Sequence, residues 1–395
     1  MSTNGFPDLS ARDLESRGAA WTAREIAQQP QVWTEVGALV VRERAALEEF
    51  LKPLIADPGL RVVLTGAGTS AYIGDCLAPA LAGRLNRRVE AIATTDLLSG
   101  PDLRLPSDGP TLLVSFARSG NSPESVAALQ LAEQLLTRRV FHLVITCNAE
   151  GALAASARRQ PNARLLLMPD AAHDRGFAMT SSFSAMFLAG ALAFGLLSDD
   201  APRHLGRAAA ELLPQATALA GRLVARSFER VVYLGSNELR GLASEAALKL
   251  LELSDGRVVA VSDASLGFRH GPKTILNNRT LVVLMLSNAR YTRAYDLDLL
   301  RELEREGRAG SLLALGGRPD GIGNVEKLIV PGMQDATDLE LAPLFVLFAQ
   351  GFALLQSLAL GLTPDRPDPA GTVNRVVQGV TIHPWNGAGR HVSRR

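Results

Sequence analysis

The chain carries the same sequence pattern twice, and this repeat restricts its fold more than any other feature. Residues Arg61-Val-Val-Leu-Thr-Gly66 return 169 positions later as Arg230-Val-Val-Tyr-Leu-Gly235. Each is a short β-branched run that ends in glycine and precedes an Ala/Leu-rich stretch of helical character. The same shift moves the uncharged stretch around Gly176–Ser198 onto a second one, Leu341–Pro364. Because two landmarks agree on one spacing, we expect two copies of one α/β unit.

Apolar runs alternate with helical patterns inside each copy. Continuous apolar strands between helices are typical of a parallel sheet covered on both faces, so the pattern predicts an α/β fold with two five-stranded parallel sheets. We expect a helical segment over 1–50 that packs on the outside, domains over 51–200 and 215–363, and a tail over 364–395 that contributes to the site. Ligands of such sheets bind beyond the carboxyl ends of the strands. The runs predict ten strands: Arg61–Thr65, Val89–Ala93, Thr111–Phe116, Val140–Thr146, Arg164–Met168, Arg230–Leu234, Val258–Val261, Thr280–Leu286, Leu312–Leu315 and Lys327–Val330.

Charge and cysteine content exclude several classes of protein. Lys and Arg total 41 against 40 Asp and Glu, so the net charge of +1 gives no reason to expect nucleic acid or an anionic membrane as a partner. Cys76 and Cys147 lack a CxxC or Cys/His setting, so we expect a reducing cytoplasm and neither a disulfide framework nor a zinc site. The first residues show no apolar signal segment. The two uncharged stretches have acidic neighbours, which predicts buried helices rather than membrane spans.

Two hydroxyl-rich turns follow predicted strands. Gly68-Thr69-Ser70 follows the first strand, and Ser119-Gly120-Asn121-Ser122 follows the third. Backbone amides and hydroxyls at such turns suit an anion, so together they predict a cradle for a phosphate monoester. Ordinary capping of helices by Ser and Thr is the alternative. Gly66, Gly68 and Ala71 also match a dinucleotide fingerprint with Glu90 near its acidic position, but that interpretation leaves the second turn unexplained.

Three charged residues share one face of the first helix predicted in the second copy. Glu245, Lys249 and Glu252 are spaced i, i+4 and i+7 on an otherwise apolar helix. A solvated face with a weak Glu–Lys pair is the alternative to a functional cluster. The repeat spacing puts uncharged residues at the matching positions of the first copy: Cys76, Ala80 and Gly83. The fold therefore does not require charge there, and the difference between the copies favours function.

The loop Ser265-Leu-Gly-Phe-Arg-His270-Gly-Pro-Lys273 carries one of only six histidines. Histidine is the natural proton shuttle near neutral pH, so His270 is a candidate for acid–base chemistry. A histidine that only satisfies local hydrogen bonds is the alternative. The other five histidines show no metal-ligand spacing, and no metal is expected.

Taken together, these residues resemble the sugar isomerase (SIS) domain family. The two turns resemble its phosphate-binding loops. Glu245-Ala-Ala-Leu-Lys249-Leu-Leu-Glu252 and Arg269-His270-Gly-Pro272 resemble the catalytic helix and histidine loop in the isomerase half of glutamine–fructose-6-phosphate amidotransferase. Asp174-Arg-Gly-Phe-Ala-Met-Thr-Ser-Ser-Phe183 is similar to that enzyme's loop before a long apolar helix. The resemblance covers roughly residues 45–383.

Two departures separate the chain from the amidotransferase. It has no glutaminase domain, so we expect it not to take ammonia from glutamine. Gln378 stands where the amidotransferase has a lysine that meets the sugar carbonyl. Ser115-Phe-Ala-Arg-Ser-Gly-Asn-Ser-Pro-Glu124 and Gly267-Phe-Arg-His-Gly-Pro272 resemble instead the stand-alone AgaS-type family, described as galactosamine-6-phosphate deaminase/isomerase or tagatose-6-phosphate ketose/aldose isomerase.

The resemblance implies two tandem SIS domains and an enzyme that converts galactosamine 6-phosphate to tagatose 6-phosphate and ammonia through an enolamine, without cofactor or metal. It implies that Glu252 carries a proton between C2 and C1, that His270 assists ring opening, and that Lys249 and Glu245 position the base or the sugar. The implied substrate contacts are Gly68, Thr69, Ser70, Arg118, Ser119, Gly120, Asn121, Ser122, Thr180 and Gln378.

In the amidotransferase the histidine reaches in from a neighbouring subunit, so the resemblance implies a homodimer or higher homo-oligomer with a shared site. Two alternatives stay open. One is aldose–ketose isomerisation of a 6-phosphosugar without loss of nitrogen. The other is a non-catalytic sensor of sugar phosphates, since SIS domains also serve as regulatory modules.

Overall fold

A computed structural model describes residue 6 and residues 9–106, 109–368, 370–377 and 379–386. Its frame is two parallel five-stranded sheets. The strands are β1 (Arg61–Thr65), β2 (Arg88–Ala91), β3 (Thr111–Ala117), β4 (Val140–Thr146), β5 (Ala163–Leu167), β6 (Arg230–Gly235), β7 (Val259–Ala264), β8 (Thr280–Met285), β9 (Ser311–Gly316) and β10 (Glu326–Ile329). The sheets have the orders β2-β1-β3-β4-β5 and β7-β6-β8-β9-β10, so the sequence repeat is also a repeat of topology.

Helices cover both faces of each sheet. They are α1 (Ala11–Ser16), α2 (Ala20–Ala27), α3 (Gln29–Ala56), α4 (Thr69–Leu85), α5 (Thr94–Ser99), α6 (Pro101–Arg104), α7 (Pro123–Leu136), α8 (Ala152–Arg159), α9 (Ser181–Ala193), α10 (Ala201–Val224), α11 (Glu238–Leu253), α12 (Arg290–Glu306) and α13 (Asp338–Ala359). Short 3-10 turns occupy Thr137–Arg139, Asp170–Ala172, Gly267–Arg269 and Pro272–Ile275.

The strand register repeats along with the strand order. Val62 lies opposite Leu112 in the first sheet, and Val231 lies opposite Leu281 in the second. Strands β1, β3 and β8 are buried along their whole length, as a parallel sheet between two helical layers requires. In each sheet the order reverses beside the first strand of its copy, which opens a crevice at the carboxyl ends of β1 and β3 and of β6 and β8. The ten predicted strands are confirmed, with ends that differ by at most three residues.

The two uncharged stretches form helices inside the protein, as predicted. All thirteen residues of α9 are buried. Among the described residues, α13 is the one helix long and apolar enough to cross a membrane, and 94% of its apolar window is buried. Helix α13 packs against α10 and α11, so the protein itself covers its apolar surface.

The N-terminal helical segment differs from the prediction. Helix α3 runs on to Ala56, so the expected boundary at residue 50 falls inside it. The boundary at residue 215 likewise falls inside α10. Trp33 of α3 is completely buried, and its indole Nε1 donates to Ser184 Oγ of α9 at 2.8 Å. The segment is therefore part of the core rather than an outer layer.

Helices α4 and α11 cross in close contact and run in opposite directions. A Cβ on Gly241 would lie 2.7 Å from the backbone nitrogen of Cys76, so only glycine allows this approach. Further along the pair, Glu245 faces Thr69, and Glu238 faces Cys76. At the repeat spacing of 169 residues, Glu238 is the counterpart of Thr69, and Cys76 is the counterpart of Glu245. The two contacts are therefore the same contact made in both directions, so an approximate twofold axis relates the two copies. This crossing brings α11 to the ligand crevice of the first sheet.

Candidate active site

The first predicted phosphate turn lies where β1 ends and α4 begins. A Cβ on Gly66 would come within 2.6 Å of Ser70, so glycine is needed for the helix to start so close to the strand. Gly68 has a φ of +55°, a conformation that favours glycine. Thr69 and Ser70 then occupy the first turn of α4 and are almost fully buried. The turn therefore holds two hydroxyls at a helix N-terminus, the end of a helix that suits an anion.

The second predicted turn follows β3 and is fixed by bonds of its own. Gly120 has a φ of +63°, and the Ser119 carbonyl accepts from Asn148 Nδ2 at 2.8 Å. The Asn121 side chain accepts from the Ala152 amide at 2.9 Å, which makes it a cap for α8. Ser122 Oγ donates to Ser125 Oγ at 2.6 Å. The hydroxyls of the turn are therefore held in place, whereas Asn121 is occupied elsewhere.

The two turns enclose a small cavity of about 100 Å³, several times what one water molecule needs. Four of the predicted substrate contacts line it: Ser70, Arg118, Ser119 and Ser122. Met179 also lines it, and its Sδ lies 3.8 Å from Ser70 Oγ. Another part of the wall is Arg375, Val376 and Val377, which come from the C-terminal tail.

Arg118 is a buried cation at this cavity. Its guanidinium donates to the carbonyls of Phe177 and Arg375, at 2.9 and 2.6 Å. Burial, with a smaller effect of the nearby charge of Arg375, lowers the pKa of Arg118 to about 10, against the attraction of Asp174 and Glu252. The group stays protonated at neutral pH and ties together two loops and the tail.

The three charged residues of α11 form one cluster. Lys249 is fully buried, and its Nζ contacts a carboxylate oxygen of Glu252 and lies 3.7 Å from Glu245 Oε1. Burial by itself lowers the pKa of Lys249, but the two glutamates outweigh it and the net pKa is raised. The side chain of Glu252 is 25% exposed, so of the two carboxylates only this one is open to a ligand. The alternative of a solvated Glu–Lys face is wrong for Glu245 and Lys249.

Glu245 is fully buried, and neither carboxylate oxygen has a hydrogen bond of normal length within the described residues. Burial raises the pKa of Glu245 to about 8, opposed by Lys249 and assisted by repulsion from Glu252. The Thr69 hydroxyl faces this carboxyl at longer range and lowers the pKa slightly. At neutral pH Glu245 is therefore largely protonated, whereas an acid–base role falls naturally on the exposed Glu252.

The cluster and the cavity belong to one site. Thr69, which faces Glu245, is the neighbour of Ser70 in the cavity wall. Arg118 lies within electrostatic range of Glu252 and Lys249. Ionisable groups that could transfer protons thus lie beside a cationic, hydroxyl-lined cavity. The prediction that the two turns and α11 meet at one place is consistent with these contacts.

Thr180 has a different environment from the one expected of a substrate contact. It is completely buried, and its amide and hydroxyl donate to the Asp174 carboxylate at 2.8 and 3.2 Å. The same carboxylate accepts from Ser181 and Ser182, so Asp174 caps α9. These contacts give Thr180 a structural task and leave it outside the cavity wall.

His270 is exposed on the loop after β7, and no contact within the described residues joins it to the cavity or to the cluster on α11. Its neighbours fix the loop. Arg269 Nε lies 2.8 Å from Glu302 Oε2 on α12, and Lys273 contacts Glu302 and Glu306 of the same helix. The imidazole is therefore presented outward on a rigid loop.

Gln378 lies outside the described residues. The tail residues before it are described, and they include a group that the sequence interpretation missed. Arg375 donates to the Asp174 carbonyl and lines the cavity. It is the only charged residue between Asp368 and His383, a signal that could have drawn attention to it. Tyr72 of α4 was also missed; burial and the nearby Glu245 raise the pKa of its phenol.

Comparison with known proteins agrees with this arrangement. Residues 54–196 match the model of the SIS domain. An AgaS protein of Streptomyces coelicolor is 52% identical over 372 residues, which cover 93% of this chain and 96% of the relative. The D-galactosamine-6-phosphate deaminase AgaS of Escherichia coli is 46% identical over 369 residues, with 92% and 96% covered. The chain belongs to the AgaS family of SIS-domain proteins.

A solved structure extends the likeness to the fold of the AgaS family. The crystal structure of tagatose-6-phosphate ketose/aldose isomerase from Escherichia coli superposes with a TM-score of 0.87 at 42% identity. The match covers 93% of this chain and 97% of that one. The prediction of two tandem SIS domains, each with a parallel five-stranded sheet, is confirmed. AgaS relatives thus carry both names that the sequence resemblance suggested, deaminase and isomerase.

Proposed function

We propose that this AgaS protein is a deaminase/isomerase that converts galactosamine 6-phosphate and water to tagatose 6-phosphate and ammonia. The observation that carries the proposal is the position of Glu252, an accessible carboxylate held by the buried Lys249 beside a phosphate-sized cavity. The names of relatives at 46% identity support the substrate. We further propose that it works in the cytoplasm.

In the proposed mechanism the cavity binds the phosphate and so fixes the rest of the sugar. Hydroxyls of Ser70, Ser119 and Ser122 and the cation of Arg118 are the groups that would contact it. Charge-assisted hydrogen bonds of this kind give both affinity and orientation. The open-chain sugar then extends from the cavity toward α11.

Glu252 takes the proton from C2 of the open-chain aldehyde, and the electron pair forms a C1–C2 double bond in an enolamine. Return of the proton to C1 leaves an imine at C2. Water adds to C2, the carbon–nitrogen bond breaks, and ammonia leaves with tagatose 6-phosphate. Because Glu245 is protonated and neutral, the positive charge of Lys249 stabilises Glu252 and the sugar oxygen on which negative charge develops as the enolamine forms.

Ring opening needs a proton donor near O5, and we assign this step to His270 of a second copy. Two observations support the assignment: His270 is exposed, and the loop that carries it is anchored to α12 rather than folded over its own site. The proposal therefore includes at least a homodimer with a shared site.

The competing candidate is isomerisation of a 6-phosphosugar without loss of nitrogen, because a solved relative at 42% identity carries that name. The test is to incubate the protein with galactosamine 6-phosphate and assay ammonia and ketose separately. Equal amounts of ammonia and tagatose 6-phosphate are expected. Unphosphorylated galactosamine and an aldose 6-phosphate without nitrogen are the matched controls.

Each other outcome selects another function. If galactosamine 6-phosphate stays unchanged while tagatose 6-phosphate equilibrates with an aldose phosphate, the isomerase candidate is right. If sugar phosphates bind without any turnover, the protein is a sensor.

A further inference from the structure

The tail residue Arg375 carries an inference that rests on the proposed function. It brings a second guanidinium to the wall of the cavity that Arg118 already lines. Arg118 donates to the carbonyl of Arg375, and Arg375 donates to the carbonyl of Asp174, so Arg118 holds the tail and Arg375 holds the loop at Asp174. Two cations thus meet at one small cavity.

The charge of this pair is not neutralised by direct contacts. Within the described residues, both guanidinium groups donate to carbonyl oxygens, and neither forms an ion pair with a carboxylate. The Asp174 carboxylate is already occupied by donors from Thr180, Ser181 and Ser182. Repulsion from Arg375 contributes to the lowered pKa of Arg118. An anion between the two groups would remove this repulsion.

Arg375 also has a donor without an acceptor. Its Nε is buried and makes no hydrogen bond within the described residues. A buried N–H without a partner is costly, and at a ligand site it indicates a group that the ligand satisfies. Hydroxyls of Ser119 and Ser122 line the same cavity. Arginine suits such a place, because its planar fork matches phosphate oxygens.

We propose that Arg375 is a phosphate-binding residue, with which the C-terminal tail completes the cradle formed by Ser70, Arg118, Ser119 and Ser122. The tail is then part of the binding site itself and not only its cover. Selectivity for a phosphorylated over a free amino sugar depends on this one residue of the tail.

The test measures phosphate binding directly, without turnover. Inorganic phosphate is titrated calorimetrically into the full-length wild type, Arg375→Gln and Arg375→Lys, with Val373→Ala as a control at an exposed tail position. We expect Arg375→Gln to weaken phosphate binding by about 10- to 100-fold, Arg375→Lys to lose less, and the control to match the wild type. The preference for galactosamine 6-phosphate over galactosamine in kcat/KM should fall by a similar factor.

A purely structural tail contact gives a different result. If Arg375→Gln binds phosphate like the wild type while kcat falls equally for both sugars, Arg375 only holds the Asp174 loop and the proposal is wrong. If the wild type binds phosphate and Arg375→Gln weakens it, but galactosamine 6-phosphate is not a substrate, the Arg375 site stands and the proposed reaction fails. If the wild type binds neither phosphate nor any sugar phosphate, both fail.

Discussion

Helices α4 and α11 are the same element in two copies of one fold, yet only α11 carries the Glu–Lys–Glu cluster. Each follows the first strand of its sheet, and each packs on the other across an approximate twofold axis. Where α11 has Glu245, Lys249 and Glu252, α4 has Cys76, Ala80 and Gly83. Burying an ion cluster costs several kcal/mol per ion unless its partners compensate. Helix α4 has no charge at these three positions, so the fold does not require the cluster, which favours a chemical role for it on α11.

The loops at the two crevices differ in the same way. The first copy presents Ser119 and Ser122, and the repeat spacing puts Asn288 and Tyr291 at the matching positions of the second. Asn288 is used internally, since its Nδ2 donates to the carbonyls of Met333 and Ala336. Tyr291 is 76% exposed and contacts Tyr295. The proposed phosphate cradle and the charged helix therefore come from opposite copies.

The largest expected effect comes from neutralising the accessible carboxylate. Glu252→Gln should lower kcat at least ~100-fold, because the base for C2 is lost, while phosphate binding is kept. The matched control is Gly83→Gln, which puts the same side chain at the exposed counterpart on α4, where a Cβ meets open space. Steady-state kinetics of both variants decide the matter. Equal losses in the two would mean that the helices do not differ in function.

Removing the hydroxyls of the second turn should weaken the binding of phosphate. Ser119→Ala with Ser122→Ala should raise the Kd for inorganic phosphate about tenfold or more, since each lost bond to a charged group costs ~1.5–3 kcal/mol in free energy of binding. Tyr291→Ala changes the counterpart of Ser122 and should leave the Kd unchanged. Calorimetric titration measures both. An unchanged Kd in the double variant would locate phosphate binding elsewhere.

The buried Glu245 should make stability depend on pH in a way that Cys76 does not. Its pKa is about 8 in the folded protein and near 4.5 when exposed, so between these values the folded state holds a proton that the unfolded chain has released. The contribution of Glu245 to the free energy of unfolding therefore falls as pH rises from about 4.5 to 8.

Glu245→Gln removes that contribution. Relative to the wild type, the variant should gain ~3 kcal/mol in free energy of unfolding between pH 5 and pH 8. Urea unfolding at a series of pH values measures the difference, and Cys76→Ser should show no such trend. Parallel curves for Glu245→Gln and the wild type would contradict the raised pKa.

The smallest effect concerns the turn before each helix. Gly68 has φ +55° and ψ −127°, and its counterpart Asn237 has φ +51° and ψ −120°. This backbone conformation strains a residue with a Cβ, so Asn237→Gly should raise the free energy of unfolding by ~0.5–1 kcal/mol. Gly68→Asn should lower it and weaken phosphate binding as well. Chemical denaturation of both variants tests the pair.

Much of the fold could be predicted from the sequence, because parallel sheets leave strong local signals. Runs such as Val62–Leu64 and Leu281–Leu286 are apolar throughout, so the strands that contain them are found directly. Helix α3 was misjudged, because the burial of Trp33 depends on contact with Ser184 on a distant helix. No local pattern contains that contact.

The candidate site was less predictable for the same reason. The charges and spacing of Glu245, Lys249 and Glu252 predicted a functional cluster on this helix. The protonated state of Glu245 could not be predicted, because it arises from burial against α4. Thr180 lies in a motif that resembles a substrate loop, yet its hydrogen bonds go to Asp174. Arg375 is far from the turns in sequence, and only tertiary structure brings it to the cavity.

The contact between the tail and the first helices has a consequence for how the protein matures on the ribosome. Asp365 accepts from the amides of Trp21 and Thr22 and from the Thr22 hydroxyl, so the start of the C-terminal tail packs on α2. Domains generally fold from the N-terminus as they are synthesised. Both sheets and the charged helix can form while the cavity still lacks the wall at Arg375. We therefore expect nascent chains arrested before Asp365 to be folded but unable to retain phosphate, so that chemical competence is the last property the growing chain acquires.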